Sequence, residues 1–354
     1  MKPSGATRRE KKSCMEIFRF GGRESYLSQI RFIAGVLWRL VVLRRRYHCI
    51  HVFCSGSVTL LVPVLGKLLG KRTSFTMTLL GSDDPESISQ KKGAKLMLRL
   101  FRLYDRVIYI NPEQAGSYER IYGTKEPLIS GSIGINVDAF RPPTPEERLS
   151  ARMELGLEQD ALIAAFTGLL IRRKGIDLAV EIWLRVAEKM PEARFVVLGH
   201  AHTPYGETDI YPLLKERIEA AGKERHFQFI FSPPSAEAVL RLLHAADVFL
   251  FPSRGEGTPS SVLEAMACGV VPVLAPLKGV TGEVLRDGIE GLVLEPQAGL
   301  ETTARRVLEL LDDRERLRRM SENGRERICQ THSQEVALAA MLRAWNLPPA
   351  GSTR

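Results

Sequence analysis

The chain has 354 residues, 44% of them hydrophobic and 26% charged, with a formal net charge of +9. That length suits two domains of ordinary size, and the composition is that of a soluble globular protein. The five cysteines (Cys14, Cys49, Cys54, Cys268, Cys329) are scattered and odd in number, which argues against a zinc site or a disulfide framework and for a reducing cytosol. The basic balance meets no recognised nucleic-acid module or basic–aromatic alternation; an anionic membrane surface or a diphosphate ligand accounts for it as well. Arg8, Arg9, Lys11 and Lys12 precede Met15 without an apolar stretch. They make no secretory signal, and a disordered basic tail is expected. Ile30 to Leu43 is the most apolar run, but Arg31 and Arg39 interrupt it and it is too short to span a bilayer. Arg44-Arg-Arg46 follows it. A core-packing helix is the expectation, with a helix dipping into a membrane interface as the alternative.

From there strand and helix patterns alternate. Cys49–Phe53, Thr73–Leu79 and Arg106–Ile110 read as strands; 60–69, 95–102 and 113–122 read as helices. Arg141-Pro-Pro-Thr-Pro145 breaks the pattern and reads as a linker. A second set follows, with strands at 162–166, 195–198, 227–231 and 248–251 and a helix from Ile176. After Val293 the pattern turns helical, over 302–311, 314–329 and about 334–345. Alternation at this spacing argues for parallel sheets with crossover helices. No repeat and no Gly-x-Gly-x-x-Gly after a strand occurs, so a dinucleotide dehydrogenase lacks support.

The most informative stretch is Glu256-Gly-Thr-Pro-Ser-Ser-Val-Leu-Glu264, running into Ala265-Met-Ala-Cys-Gly269. Thr258 suits an N-cap, Pro259 the first helical position and Gly269 the C-terminal stop. The N–H groups of Ser260 and Ser261 would then open an anion site. Glu264 lies one turn below Ser260, about 6 Å along the axis. A diphosphate over the helix end with a carboxylate on two vicinal hydroxyls describes a nucleotide-diphosphate site. Cys268, beside the helix end, reads as a small buried residue.

The run from Phe251 to Val273, with Gly282-Glu-Val-Leu-Arg-Asp-Gly288 and Gly291-Leu-Val293 downstream, resembles the signature of retaining glycosyltransferases of family four. Ile133-Gly-Ile-Asn-Val-Asp-Ala-Phe140 and Gly168–Gly175 resemble that family's inter-domain segment and first C-domain loop. The resemblance implies the GT-B fold, α/β with two doubly wound Rossmann-like domains facing a cleft. The expected division is 1–145 (acceptor side), 146–331 (nucleotide-sugar side) and 332–354, a helix crossing back toward the first domain. It also implies transfer of a hexose from a nucleoside diphosphate sugar (UDP or GDP) to a saccharide or lipid-linked acceptor, as in cell-surface polysaccharide synthesis, without metal or other cofactor.

By the same resemblance Glu256 would hold the donor sugar's hydroxyls, Lys174 the diphosphate and Glu264 the ribose. Gly168, Gly257, Thr258, Pro259, Ser260 and Ser261 complete the donor side, with Gly21-Gly22 as the first domain's glycine loop; Arg172 or Arg173 is expected to reach the phosphate from the loop in place of the family's arginine. Gly81, Ser82 and Asp83 would face sugar or acceptor. Asp83-Asp84-Pro85 reads as a turn rather than a metal pair. Two positions depart from the family: Leu169 stands where it has arginine and Leu80 where it has histidine. His51, His200 and His202 match no motif. The departures keep open a non-catalytic nucleotide-sugar-binding protein; a sugar-nucleotide epimerase on the same fold is a further alternative, disfavoured by the specificity of the 256–264 run. Partners other than nucleotide sugar and acceptor are a peripheral contact on the inner face of the membrane, and no nucleic acid; the expected location is the cytoplasm.

Overall fold

The computed structural model describes residues 8–12, 15–19, 26–53, 59–78, 83–200, 208–231 and 235–345. Its contacts divide into two compact units, Met1–Gly131 with Ala340–Arg354, and Ser132–Ala339.

The first unit contains β1 (Arg8–Lys12), β2 (Met15–Arg19), α1 (Tyr26–Val42), β3 (Cys49–Phe53), α2 (Val62–Leu68), β4 (Arg72–Thr76), α3 (Pro85–Ser89), α4 (Ala94–Phe101), β5 (Arg106–Tyr109), α5 (Pro112–Tyr122) and β6 (Leu128–Ser130). Strands β3-β4-β5-β6 pair in that order, all parallel, with Cys49 opposite Arg72 and Val107 opposite Leu128. Each crossover carries helices, which is what parallel pairing of successive strands requires. Phe75, Phe101, Tyr104 and Tyr118 form an aromatic core over the sheet, Phe75 and Phe101 meeting edge to face at 5.2 Å. Helix α5 shows local determinants in order: the Asn111 side chain accepts from Gln114 N, Pro112 opens the helix and Gly123 closes it in the left-handed region.

Two expectations for this unit change. The predicted basic tail is an antiparallel ladder, with Arg8 opposite Arg19 and Lys12 opposite Met15. Ile17 and Phe18 are residue types that favour extended backbone, and pairing satisfies the N–H and C=O groups that the two segments turn toward each other. Strand β4 ends at Thr76, earlier than predicted, because the Asp83 carboxylate accepts from Thr78 N and Oγ1 at 2.9 and 3.0 Å and turns the chain out of the ladder.

Helix α1 packs against the core on one face and exposes apolar side chains on another. Leu40 packs against the core, and Tyr47 Oη donates to its carbonyl at 2.6 Å. Ile30, Phe32, Trp38 and Val42 stand exposed, Trp38 at 67%. No helix among the described residues is long and apolar enough to cross a membrane.

The second unit contains α6 (Pro145–Glu154), β7 (Ile163–Leu169), α7 (Ile176–Lys189), β8 (Arg194–His200), α8 (Tyr211–Ala220), β9 (Phe227–Phe231), α9 (Ala236–Ala245), β10 (Val248–Phe251), α10 (Ser260–Ala267), β11 (Val271–Leu274), α11 (Thr281–Val284), β12 (Leu292–Val293), α12 (Leu300–Asp312) and α13 (Arg314–Thr331); α14 (Gln334–Trp345) begins in it and ends in the first. Its parallel sheet has the order β12-β11-β10-β7-β8-β9. The predicted linker does not hold as a free connection. Thr144 and Glu147 form a reciprocal capping box on α6, Pro145 is its first residue, and 132–145 group with the second unit.

The strand order matters for function. From β7 the chain moves outward to β8 and β9, then returns to place β10 on the other side of β7, with Val248 opposite Ala164. Such a reversal opens a crevice at the carboxyl ends of the strands, where ligands of open α/β sheets bind. It also brings the loop after β7 against the loop after β10. At the other end of the same strands, Asp247 accepts from Arg148 (2.6 Å), Arg152 (3.0 Å) and Ile163 N (2.8 Å), tying α6 to the starts of β7 and β10.

Candidate nucleotide-sugar site

After β7 the chain makes one tight turn over Arg172–Lys174, closed by Lys174 N donating to Ile171 O and Gly175 N to Arg172 O. Gly175 follows at φ 74°, and a Cβ there would lie 1.9 Å from Pro252 O. Only glycine permits this backbone and this approach.

The second loop docks on the first through its backbone and side chains. Arg254 N donates to Arg173 O at 2.8 Å, and Arg173 Nη1 donates to Gly255 O at 3.1 Å. At the centre, Lys174 Nζ donates to Glu256 Oε1 at 2.7 Å, with Arg173 Nη1 3.7 Å from the same oxygen. Ser253, fully buried, holds its hydroxyl 2.9 Å from Glu256 Oε1 and 3.0 Å from Arg173 O. Lys174 Nζ also lies 5.4 Å from the centroid of the Phe251 ring. The Lys174 and Glu256 side chains are only 20% and 9% exposed, so their attraction is weakly screened. The contacts of Lys174, Arg173 and Ser253 with Glu256 all fall on Oε1.

Helix α10 opens beside this loop, with one correction. Pro259 rather than Thr258 is the N-cap, and no side chain caps it. Its carbonyl accepts from Val262 N at 3.0 Å, so the N–H groups of Ser260 and Ser261 precede the first intrahelical bond. Proline leads because its φ of −74° fits the entry and no N–H is needed there. Gly257 and Pro259 are buried, Thr258 and Ser261 half-buried, Ser260 exposed. Gly269 ends the helix as predicted, at φ 76°, with Val270 N donating to Ala265 O.

Glu264 is half-buried among buried Leu263, Ala265 and Cys268, and burial pushes its carboxyl up to about 7. No hydrogen bond or ion pair among the described residues reaches that carboxylate. The same burial pushes the Cys268 thiol up to about 12, which fits a packing role.

The two arginines of the turn diverge. Arg173 faces Glu256; Arg172 is exposed and lies 3.5 Å from Asp177. Gly168 has φ 145° near the end of β7, and Leu169, the last residue of that strand, pairs with His200 in the ladder. Gly21, Gly22, Leu80, Gly81, Ser82 and His202 lie outside the described residues. Asp83 is buried on Thr78, and Asp84 caps α3 by accepting from Ser87 N at 3.1 Å, so the predicted turn is a helix start. His51 bridges Ser74 and Thr76 between β3 and β4, and burial holds its pKa below the ordinary value.

Sequence reasoning missed Ser253, Asp177 and Arg254. It also missed the role of Glu290, a buried carboxylate that accepts from Arg286 N at 2.7 Å and Nε at 2.8 Å. Among the described residues no group of three metal-ligating side chains occurs.

Two α/β units with parallel sheets, one carrying a loop pair and a helix N-terminus at its switch point, define a GT-B fold. Solved structures agree on that fold. Anabaena HepE in complex with UDP-glucose superposes with a TM-score of 0.73 at 17% identity, over 91% of this chain and 84% of that one. The sucrose-phosphate synthase of Thermosynechococcus elongatus gives 0.75 at 20%, over 98% and 86%. The family model for glycosyl transferases group 1 matches residues 147–327, and the chain belongs to that family. Among relatives, a GDP-mannose-dependent monoacylated α-(1-6)-phosphatidylinositol monomannoside mannosyltransferase of Corynebacterium glutamicum is 26% identical over 239 residues, 66% of this chain. A D-inositol 3-phosphate glycosyltransferase of Nocardia farcinica is 30% identical over 284 residues, 76% of this chain. The chain spans 59% of the length of each of these two relatives.

Proposed function

We propose that the protein is a retaining glycosyltransferase that moves a hexose from a UDP- or GDP-sugar to a saccharide or lipid-linked acceptor, in the synthesis of a cell-surface glycan. The observation that carries this reading is the half-buried Lys174–Glu256 pair beside the N-terminus of α10. As the bond between the sugar's anomeric carbon and the diphosphate breaks, negative charge grows on the leaving oxygen. The Lys174 ammonium and the N–H groups of Ser260 and Ser261 are preorganised donors for it. Glu256, held through Oε1, presents Oε2 to a sugar hydroxyl, and Glu264 accepts the ribose hydroxyls. The named substrates of the relatives, GDP-mannose among donors and phosphatidylinositol monomannoside and inositol phosphate among acceptors, support a phosphorylated or lipid-linked polyol as acceptor. Donor hydrolysis and transfer with a panel of nucleotide sugars and such acceptors test the proposal. Binding of a nucleotide sugar without turnover would favour a non-catalytic binder instead, the reading that Leu169 supports.

Two expectations follow from residues in the two units. Glu264→Ala weakens nucleoside diphosphate binding by about 1.5–3 kcal/mol, the worth of charged hydrogen bonds. A carboxyl held up at about 7 is neutral below that pH, so wild-type affinity for a nucleotide sugar, whose diphosphate has no group titrating in this range, rises between pH 6 and 8 while the variant's stays flat. Folding has the opposite sign, since the raised pKa favours the folded state at low pH and that contribution is lost as pH rises through about 7. Calorimetry across this range, showing a flat wild-type profile, would remove the ribose assignment.

The exposed apolar face of α1, with Arg31 beside it and Arg44-Arg-Arg46 after it, suits an anionic lipid surface. Sedimentation with anionic vesicles is expected to exceed that with neutral ones and to fall as salt rises. Equal failure with both leaves α1 as a packing helix only.

A further inference from the structure

We propose that Arg254 and Asp177, which do not touch Glu256 or Lys174 directly, are positioning residues that set the Lys174–Glu256 pair in place. Arg254 Nη1 and Nη2 donate to Asp177 Oδ1 and Oδ2 at 2.7 and 3.0 Å, a two-point fork that fixes orientation as well as distance. The same guanidinium donates to Arg172 O, and the Arg254 backbone N–H donates to Arg173 O. Arg254 therefore grips the turn at Arg172, Arg173 and, through Asp177, the first turn of α7. Lys174 lies between these anchor points, and Glu256 is two residues beyond Arg254. Rotating either loop would part the 2.7 Å contact of Lys174 with Glu256.

A surface role is the competing account. The Arg254 side chain is 49% exposed, and exposed ion pairs commonly contribute little to stability. Asp177 in the first turn of α7 also favours that helix through its dipole. Both of those roles read out in melting temperature. A positioning role reads out in turnover, because small misplacement of a charged group at the reacting centre costs rate far more than binding.

The inference rests on the glycosyltransferase reading for its kinetic arm and has a second arm that does not. Arg254→Ala and Asp177→Asn are each expected to lower kcat about tenfold or more, with KM for the nucleotide sugar little changed and the melting temperature held. The double variant is expected to lose no more than the worse single, since both remove one fork. Arg254→Lys, which keeps the charge without the fork, should fall between wild type and Arg254→Ala. In hydrogen exchange, the amides of Lys174, Gly175 and residue 254 are expected to exchange about tenfold faster in Arg254→Ala, with strand β7 unchanged. A kcat loss that only follows the melting temperature, or additive losses in the double variant, overturns the proposal. Unchanged exchange at those amides overturns it whatever the kinetics. If the wild-type protein transfers no sugar, the enzymatic reading fails, and the exchange result alone decides for or against the clamp.

Discussion

Lys174→Ala is expected to slow sugar transfer by about 10²-fold or more, the usual cost of removing one preorganised donor from a developing negative charge. The effect has two sources. The ammonium is lost from the leaving diphosphate, and Glu256 loses its closest partner, at 2.7 Å. Arg173 at 3.7 Å and the Ser253 hydroxyl at 2.9 Å remain near Glu256, so the loop is expected to stay folded. Binding should divide by ligand. Affinity for a nucleoside diphosphate falls, while affinity for the bare nucleoside, which has no phosphate, is retained. Calorimetry with both ligands beside single-turnover kinetics separates these effects. Equal losses for nucleoside and nucleoside diphosphate would assign Lys174 to loop structure rather than to the leaving group.

Gly175→Ala is expected to cost about 3 kcal/mol of stability and to abolish turnover. A side chain at φ 74° carries a conformational penalty of about 1–2 kcal/mol by itself. The added Cβ would also sit 1.9 Å from Pro252 O and 2.4 Å from its carbonyl carbon, both backbone atoms that have no other place to go. The turn after β7 must then separate from the loop after β10, and Lys174 moves away from Glu256. Gly222 supplies the control. It has φ 61° and an added Cβ there would meet no atom within 4 Å, so Gly222→Ala should show the conformational penalty alone. Denaturant titration of the two variants tests the contact directly; matching shifts would mean that the approach to Pro252 carries no weight.

Strand and helix existence in both units was legible in the sequence because apolar runs and caps are local. Cys49–Phe53, 227–231 and 248–251 were placed to the residue. The strands β6, β11 and β12 were not: β6 and β12, of three and two residues, are too short to show a period, and Pro272 interrupts the four-residue β11. Donor-side candidates were also visible, because Glu256 and Glu264 share one continuous motif. Their partners were hidden. The Lys174–Glu256 contact joins residues 82 apart and the Arg254–Asp177 fork joins residues 77 apart. Those meetings depend on β10 returning beside β7, a property of strand order that no local spacing encodes. Thr258 misled for a related reason: its type suits a cap, but the proline after it already supplies the entry geometry.

The Asp247 node bears on how this unit tolerates change. It gathers Arg148, Arg152 and the start of β7 at one end of the strands, while the turn at 172–175 and the loop at 252–259 leave from the other. Under the proposed function the Asp247 end bears on folding, while the other end bears on donor recognition and, through the close approach of Gly175 to Pro252, on folding as well. Variants selected for abundance should accumulate at the Asp247 end, and variants selected for a new donor sugar at the other, with Gly175, which serves both, kept unchanged.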